Sequence, residues 1–257
     1  MIRRLALVIE YEGTRYHGFQ LQDNLCTVQG ELERALYQFT REEIRVAGAS
    51  RTDSGVHALG QVITFITERG YPLKAWIHGL NYFLPEDIAV RSAHEVDVAF
   101  DARRCAISRE YQYNILNVAV RSPLRDRRAF LVKRPLNVAA MNRCCRILVG
   151  EHDFISFVSL PEGEKRSTIR RVDKAEVRRK GDYITLKMVG SSFMPHQLRN
   201  MVGSLVMVGL GDLAEEDFAR KALSGQPGIM GPAAPGKGLC LVRVNYPPQW
   251  GPIGEGL

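Results

Sequence analysis

The sequence lacks a long apolar run, a paired-cysteine motif and a flexible linker. The apolar stretch near the N-terminus, Leu5 to Ile9, is five residues long, too short for a membrane span or a secretory signal core. The five cysteines are an odd number without a C-x-x-C pair, so neither a disulfide framework nor a zinc site is indicated. We therefore expect a reduced, cytoplasmic protein without a membrane anchor.

Lysine is scarce among the basic residues: 27 of the 35 are arginine and 8 are lysine. The net charge is +7, and two segments carry the excess. The first basic segment, residues 103–134, has a local charge of +7, and the second, residues 165–180, has +6. The planar guanidinium group suits phosphates, so this pattern favours a nucleic-acid partner. A solvated surface explains the charge equally well.

The apolar patterning alternates between extended and helical segments. Thr27 and Asn137 stand where helix N-caps are expected, and Asp212 to Glu215 resembles a capping box. Residues 44–47 have the composition of a short strand, and residues 172–189 that of a β-hairpin. Hairpins mixed with helices, without a strict β-α-β rhythm, predict an α+β fold with mainly antiparallel sheet.

The densest group of reactive side chains lies at Gly48-Ala-Ser-Arg-Thr-Asp-Ser-Gly-Val-His-Ala58, between two predicted strands. From the residues alone, this segment is either a tight turn in which Asp53 bonds to nearby backbone or a functional loop. Asp53, Ser54 and His57 are also the components of a hydrolase triad. However, no G-x-S-x-G elbow surrounds Ser54, and triad members normally come from distant segments.

Two glycine-containing segments lack the features of nucleotide sites. Residues 231–238 nearly match a phosphate-binding loop, but Gly238 replaces the Ser or Thr that holds magnesium, and a predicted strand follows. Gly209 and Gly211 follow a predicted helix and are typical of a helix end. We therefore expect no cofactor and no metal.

Five segments, in the same order along the chain, resemble the tRNA pseudouridine synthase I family. The most specific is Arg51-Thr-Asp-Ser-Gly-Val-His-Ala58, which is similar to the family signature R-T-D-A-G-V-H-A. The other segments that carry the resemblance are Glu10 to Gln20 with Thr27 to Glu33, Phe100 to Arg103 with Arg109 to Tyr113, Phe193 to Leu205, and Gly238 to Pro247.

The departures from the family pattern are few. Ser50 and Ser54 stand where the family usually has Gly and Ala, Phe19 where Trp is common, and Cys240 where an aromatic residue is common. A Cβ at position 50 restricts the backbone conformations of the loop more than it alters the chemistry of its reactive side chains.

The resemblance implies a pseudouridine synthase fold of two similar α+β halves. Each half has a mainly antiparallel sheet flanked by helices, and the active-site cleft lies between them. Residues 1–105 would carry the Asp loop, and residues 106–257 the Tyr strand and the Arg helix. The family also implies a homodimer.

The implied reaction is the isomerisation of uridine to pseudouridine at positions 38–40 of the tRNA anticodon stem-loop. By the family pattern, Asp53 is the catalytic carboxylate and Arg199 faces it and keeps it ionised. Tyr111 stacks on the target base, Arg51 helps to displace it, and His57 fixes the loop. Two alternatives stay open: a non-catalytic RNA-binding protein on the same fold, and a hydrolase that uses a Ser/His/Asp triad.

Overall fold

The computed structural model describes residues 2–159 and 167–254. The strands in these ranges are β1 Arg3–Tyr11, β2 Ala47–Gly48, β3 His57–Thr67, β4 Ile88–Val96, β5 Ser108–Leu116, β6 Phe130–Leu131, β7 Gly150–Asp153, β8 Ile169–Lys180, β9 Tyr183–Gly190 and β10 Leu239–Asn245. The α-helices are α1 Val28–Thr40, α2 Leu73–Phe83, α3 Val138–Ile147, α4 Gln197–Leu210 and α5 Glu215–Ala222. The predicted α+β class with mainly antiparallel pairing is confirmed.

The chain forms two compact units. The first unit comprises residues 1–109 and 240–257, and the second comprises residues 110–239. The closing strand β10 thus belongs, from Cys240 onward, to the same unit as the N-terminus. The predicted domain division after residue 105 stays a prediction.

The sheet of the first unit is built around β1. This strand pairs antiparallel with β3 on one side and β4 on the other, which is why Leu5, Leu7 and Ile9 are fully buried. The short strand β2 pairs antiparallel with β3, and β10 runs parallel to β3. Helices α1 and α2 pack against each other, and α2 packs against β4. Trp76 of α2 is fully buried in this core.

The sheet of the second unit contains the predicted hairpin. Strands β8 and β9 pair antiparallel from Lys180 opposite Tyr183, and Gly181 adopts the positive φ of 58° that the tight turn requires. Strand β7 pairs with β8, and β5 with the parallel strand β6 lies beyond β9. Helix α3 packs against β8 and α4. Ten of the 14 residues of α4 are buried, as expected for a helix that is apolar on most sides.

Both predicted helix caps are confirmed. Thr27 accepts a hydrogen bond from the Gly30 backbone through its hydroxyl oxygen, and Asn137 caps α3 in the same way at Ala140. Gly211, with a φ of 78°, ends α4.

Two local predictions were wrong. Residues 44–46 form no strand, because the Val46 backbone N–H bonds to the carboxylate of Glu33 on α1 instead of to a neighbouring strand. The capping box at Asp212 is absent, and α5 begins after Ala214. Asp212 instead lies at the C-terminal end of α4. Its N–H donates to the Met207 carbonyl, and its carboxylate forms a salt bridge with Arg134.

Candidate active-site residues

The loop that carries Asp53 connects β2 to β3 in the first unit, and buried side chains fix its beginning. Gln61 is fully buried on β3, and its amide donates to the Ser50 carbonyl at 2.6 Å and accepts from the Ser50 N–H at 3.1 Å. The buried guanidinium of Arg109 donates to the Ala49 carbonyl at 3.1 Å. The backbone is therefore held on both sides immediately before Arg51.

The middle of the loop contacts the last residue of β1 and the segment that follows it. The Thr52 hydroxyl lies 2.7 Å from the Tyr11 hydroxyl in a buried hydrogen bond, and the Thr52 carbonyl accepts from the Phe19 N–H at 3.0 Å. Gly18 has a φ of 92°, and a side chain there would place Cβ 2.8 Å from the Thr52 carbonyl oxygen. This close approach explains why glycine precedes Phe19. Asp53 is half-buried at the end of this fixed stretch.

His57 contacts the backbone that lies behind the loop. Its Nδ1 accepts a hydrogen bond from the Gly13 N–H at 3.0 Å, and the residue is buried. In this contact Nδ1 acts as the acceptor. A side chain at Gly13 would place Cβ 1.9 Å from the Val56 carbonyl oxygen, so this contact is also close-packed. The geometry suits the predicted loop-fixing role of His57.

The two serine departures fit the loop. Ser50 lies outside the left-handed backbone region, so its side chain introduces no strain of the kind that demands glycine. The Ser54 hydroxyl donates to the Tyr16 carbonyl at 3.2 Å. That proton is directed at a carbonyl and not at the imidazole of His57, whose Nδ1 receives the Gly13 N–H. The arrangement therefore gives no support to the hydrolase alternative.

Tyr111 lies on β5 in the second unit and packs against Phe193, a residue for which the sequence predicted no role. Its ring meets Phe193 edge to face, with 5.6 Å between centroids and an interplanar angle of 89°. Tyr111 is 5% exposed. Two residues further, the hydroxyl of buried Tyr113 donates to the Pro235 carbonyl at 2.8 Å. Burial raises the pKa of Tyr113 above its ordinary value, and the nearby charge of Arg199 opposes this shift.

Arg199 lies in the first turn of α4 and is held by the segment 231–238. Its Nε donates to the Ala234 carbonyl at 2.7 Å, and the Ala234 N–H donates back to the Arg199 carbonyl at 2.9 Å. Its Nη1 donates to Nδ1 of His196 at 3.2 Å. The side chain is half-buried, so Arg199 is more constrained than an ordinary surface arginine on a helix.

Close backbone contacts fasten the segment 231–238 to the second unit. A side chain at Gly203 of α4 would place Cβ 1.7 Å from the Pro232 carbonyl oxygen. A side chain at Gly238 would place Cβ 2.5 Å from the Tyr113 ring. The segment that resembles a phosphate-binding loop in sequence thus positions Arg199 and Tyr113.

The two basic segments differ in how their charges are paired. On β8, Arg171 pairs with Asp173 at 2.7 Å, and both Lys174 and Arg178 pair with Glu176. Lys165 and Arg166 of the second segment lie outside the described residues. In the first segment, Arg125 and Arg134 form salt bridges and Arg109 bonds to backbone carbonyls. The first segment also contains guanidinium groups without partners among the described residues, including those of Arg103, Arg104, Arg121 and Arg128.

Within the described ranges, no group of three or more His, Cys, Asp or Glu residues is arranged to hold a metal ion. No helix in these ranges has the length and apolar character needed to cross a membrane.

Comparison with known families identifies the class of protein. A family model described as tRNA pseudouridine synthase matches residues 7–103 and 144–247. These ranges contain the Asp53 loop, α4 and β10. The chain belongs to the tRNA pseudouridine synthase family. The predicted class of enzyme, an isomerase that acts on tRNA uridine, is therefore confirmed. The individual catalytic residues stay predictions.

Several relatives share almost the full length of the chain. The tRNA pseudouridine synthase A of Geobacter sulfurreducens is 43% identical, with 95% of this chain and 100% of the relative covered. The protein of the same name from Herminiimonas arsenicoxydans is 41% identical, with 96% and 91% covered. That of Legionella pneumophila strain Corby is 39% identical, with 96% and 94% covered.

Proposed function

We propose that this enzyme converts uridine to pseudouridine at positions 38–40 of the tRNA anticodon stem-loop, with Asp53 as the catalytic carboxylate. The family match over residues 7–103 and 144–247 supports the reaction class, and the names of the relatives support a tRNA substrate. The anticodon arm and the role of Asp53 rest on the resemblance of the loop signature. The site of action that follows is the cytoplasm, where tRNA is available.

The reaction rearranges one nucleotide and needs no external oxidant or second substrate. The C1′–N1 bond of the uridine breaks, the uracil turns, and a C1′–C5 bond forms. The hydrogen on C5 leaves as a proton, and N1 gains one, so atoms and electrons balance. Three routes for the Asp53 carboxylate stay open: attack on C1′, addition to C6 of the uracil, or removal of a ribose proton. Each route requires an ionised carboxylate at a fixed position.

The observation that carries the proposal is the fixed backbone around Asp53. Hydrogen bonds hold the backbone at Ala49, Ser50 and Thr52, so the carboxylate is presented from a turn with little freedom to move. Preorganisation of this kind is what a reacting group needs, because a misplacement of about 1 Å can cost roughly a hundredfold in rate.

The remaining candidate residues have supporting roles in this proposal. Arg199 supplies a positive charge that keeps Asp53 ionised, and Tyr111 offers an aromatic face to the uracil. Arg51 is exposed on the Asp53 loop and helps to displace the target base from its stack, which costs a few kcal/mol. His57 fixes the loop through its bond to Gly13.

We also propose that two chains form a homodimer that spans the tRNA. Sedimentation of the purified protein tests this part separately. A particle of about twice the monomer mass of 28.9 kDa is expected, and a monomer at working concentration would contradict it.

The test of the reaction is tritium release from tRNA transcripts that contain 5-tritiated uridine. Formation of the C1′–C5 bond expels the label into water. The wild-type enzyme is expected to release it, and Asp53→Asn is expected to bind the tRNA with nearly unchanged affinity but release none. Ser54→Ala is the control in the same loop, and its activity should match that of the wild type.

Three outcomes separate the alternatives. Binding without release by the wild type would leave a non-catalytic RNA-binding protein. Release that survives in Asp53→Asn would remove Asp53 from the reaction. Loss of tritium release in Ser54→Ala, with the fold intact, would show that the Ser54 hydroxyl takes part in the reaction. Transcripts with single uridines replaced by cytidine then locate the modified positions.

A further inference from the structure

A pocket of about 350 Å³ lies in the first unit beside the Asp53 loop. Four parts of the chain form its walls: the stretch around Phe19 and Gln20, Gln29 on α1, the stretch from Val46 to Arg51, and the turn from Asp101 to Arg104. Its volume is in the range of pockets that bind small ligands or parts of larger ones. The described contacts of the Asp53 loop do not use this space.

Three guanidinium groups line the pocket and lack a partner. The side chains of Arg51, Arg103 and Arg104 have no hydrogen bond or ion pair with any residue in the described ranges. The acidic residue in the lining is Asp101, and its Oδ1 accepts the backbone N–H groups of Arg103 and Arg104, each at 2.8 Å. That carboxylate shapes the turn. The pocket therefore carries an excess of positive charge, which favours an anionic ligand.

The buried side chain of Arg109 connects two walls of the pocket. Its Nη2 donates to the Ala49 carbonyl at 3.1 Å and to the Arg103 carbonyl at 2.6 Å. The Phe19 ring packs so closely on Gly48 that a Cβ there would lie 2.4 Å from it. The walls are thus fixed to each other before any ligand binds, and the arginine turn is coupled to the loop that carries Asp53.

The position of Arg51 indicates which part of the substrate can bind in the pocket. Arg51 is two residues before Asp53, so their Cα atoms are within about 7 Å of each other. A group held by Arg51 therefore lies close to the nucleotide on which Asp53 acts. Gln20 is exposed in the lining and its amide has no partner among the described residues, so it can bond to a base edge or a ribose hydroxyl.

We propose that this pocket is an RNA subsite that binds the phosphodiester group of a nucleotide next to the target uridine through Arg103 and Arg104. Guanidinium groups bind phosphate oxygens in pairs, which fixes the position of the strand as well as adding affinity. This subsite rests on the proposed function, because it takes its ligand from the RNA substrate. It positions the strand so that the base which reaches Asp53 is the correct one.

The first measurement is the affinity for an anticodon stem-loop RNA at several salt concentrations. The double variant Arg103→Gln/Arg104→Gln is compared with Arg91→Gln/Arg220→Gln, which removes the same charge at two exposed, ion-paired positions. The pocket variant is expected to bind at least about tenfold more weakly. Its plot of log affinity against log salt should be shallower by about 0.7 for each lost phosphate contact. The control should bind like the wild type.

The second measurement identifies the contacted phosphate. Stem-loop RNAs carry one neutral methylphosphonate linkage each, at successive positions around the target uridine. One linkage next to that uridine is expected to weaken binding by the wild type and not by the pocket variant. Equal responses of both proteins to every linkage would overturn the proposal, as would wild-type affinity of the pocket variant. Arg104→Glu serves as a second variant, and thermal melts confirm that each variant folds.

The failure of this subsite is distinguishable from failure of the proposed reaction. If the wild type releases tritium from tRNA and the pocket variant binds and reacts normally, the subsite is wrong and the reaction stands. If the wild type releases no tritium, the reaction is wrong, and the methylphosphonate series still reports whether the pocket binds RNA.

Discussion

The two units hold their candidate reactive groups at different atoms: the first at the backbone that precedes Asp53, the second at the Arg199 side chain itself. In the first unit, side chains of Gln61 and Arg109 reach backbone atoms of the Asp53 loop and hold them by hydrogen bonds. In the second, the segment that holds Arg199 lies against glycines, where no side chain fits. Hydrogen bonds can be weakened one at a time. A glycine contact is lost when any side chain is added, so glycine substitutions should act more abruptly than the loss of one hydrogen bond, both at Gly203 in the second unit and at Gly13 beside the Asp53 loop.

The largest effect is expected from Gly203→Ala in α4. The added Cβ would lie 1.7 Å from the Pro232 carbonyl oxygen, so the segment that holds Arg199 has to move. Overpacking of this kind typically costs about 1–3 kcal/mol, and a clash with backbone belongs at the upper end. Thermal unfolding should show a midpoint lower by roughly 6 °C or more. Gly209→Ala is the matched control, because its Cβ would meet the movable side chains of Met141 and Leu136. A similar loss in both variants would contradict the distinction.

Arg199→Ala should affect turnover more than binding. The guanidinium is held by Ala234 and His196, and the proposal gives it the task of keeping Asp53 ionised. We expect kcat for tritium release to fall at least about a hundredfold, the equivalent of about 2.7 kcal/mol, with tRNA affinity within a few fold of the wild type. Arg199→Lys should recover part of the rate. Loss of tRNA affinity with normal kcat would show that Arg199 binds substrate and does not assist Asp53.

Gln61→Glu tests the hydrogen-bonded side of the comparison. A carboxylate still accepts from the Ser50 N–H but has no proton for the Ser50 carbonyl, so one of the two bonds is lost. An unsatisfied buried group costs about 1–3 kcal/mol. The expected result is a roughly tenfold lower kcat with a folded protein that still binds tRNA. Gln61→Leu removes both bonds without burying a charge and should also lower kcat. If both variants keep the wild-type kcat, the clamp does not position Asp53.

The smallest change in activity is expected for Tyr113→Phe, and the matching change at Tyr111 on the same strand tests whether its hydroxyl takes part in the reaction. Tyr113→Phe removes the bond to the Pro235 carbonyl and should cost about 1 kcal/mol of stability with little change in activity.

Tyr111→Phe keeps the ring and its contact with Phe193. Retained binding with loss of product would show that the Tyr111 hydroxyl takes part in the reaction, whereas full activity would leave stacking as its role. A larger loss of activity in Tyr113→Phe would reverse the assignment.

Local signals in the sequence were sufficient for much of the fold. The caps at Thr27 and Asn137 and the hairpin turn at Gly181 depend on neighbouring residues, and each is confirmed. The predicted capping box at Asp212 is absent because this residue makes other contacts. Its N–H bonds to the end of the preceding helix, and its carboxylate pairs with the distant Arg134.

The contacts that support the candidate site could not be predicted in the same way. Gln61 reaches a residue 11 positions away, and Arg109 reaches one 60 positions away. Nothing in the local pattern of either residue indicates such a bond. Phe193 and Gly203 were visible as parts of a family segment, but their partners depend on how β5 and the segment 231–238 pack in the folded second unit.

The clamps on the Asp53 loop have a consequence for how this sequence can change over evolutionary time. They act on the backbone amides and carbonyls of Ala49, Ser50 and Thr52, which any residue other than proline provides in full. Side chains at positions 50 and 54 can therefore drift without moving the carboxylate between them. We expect the two serines that depart from the family signature to be tolerated for this reason, and mutational scanning of the loop should find those positions permissive beside an intolerant Asp53.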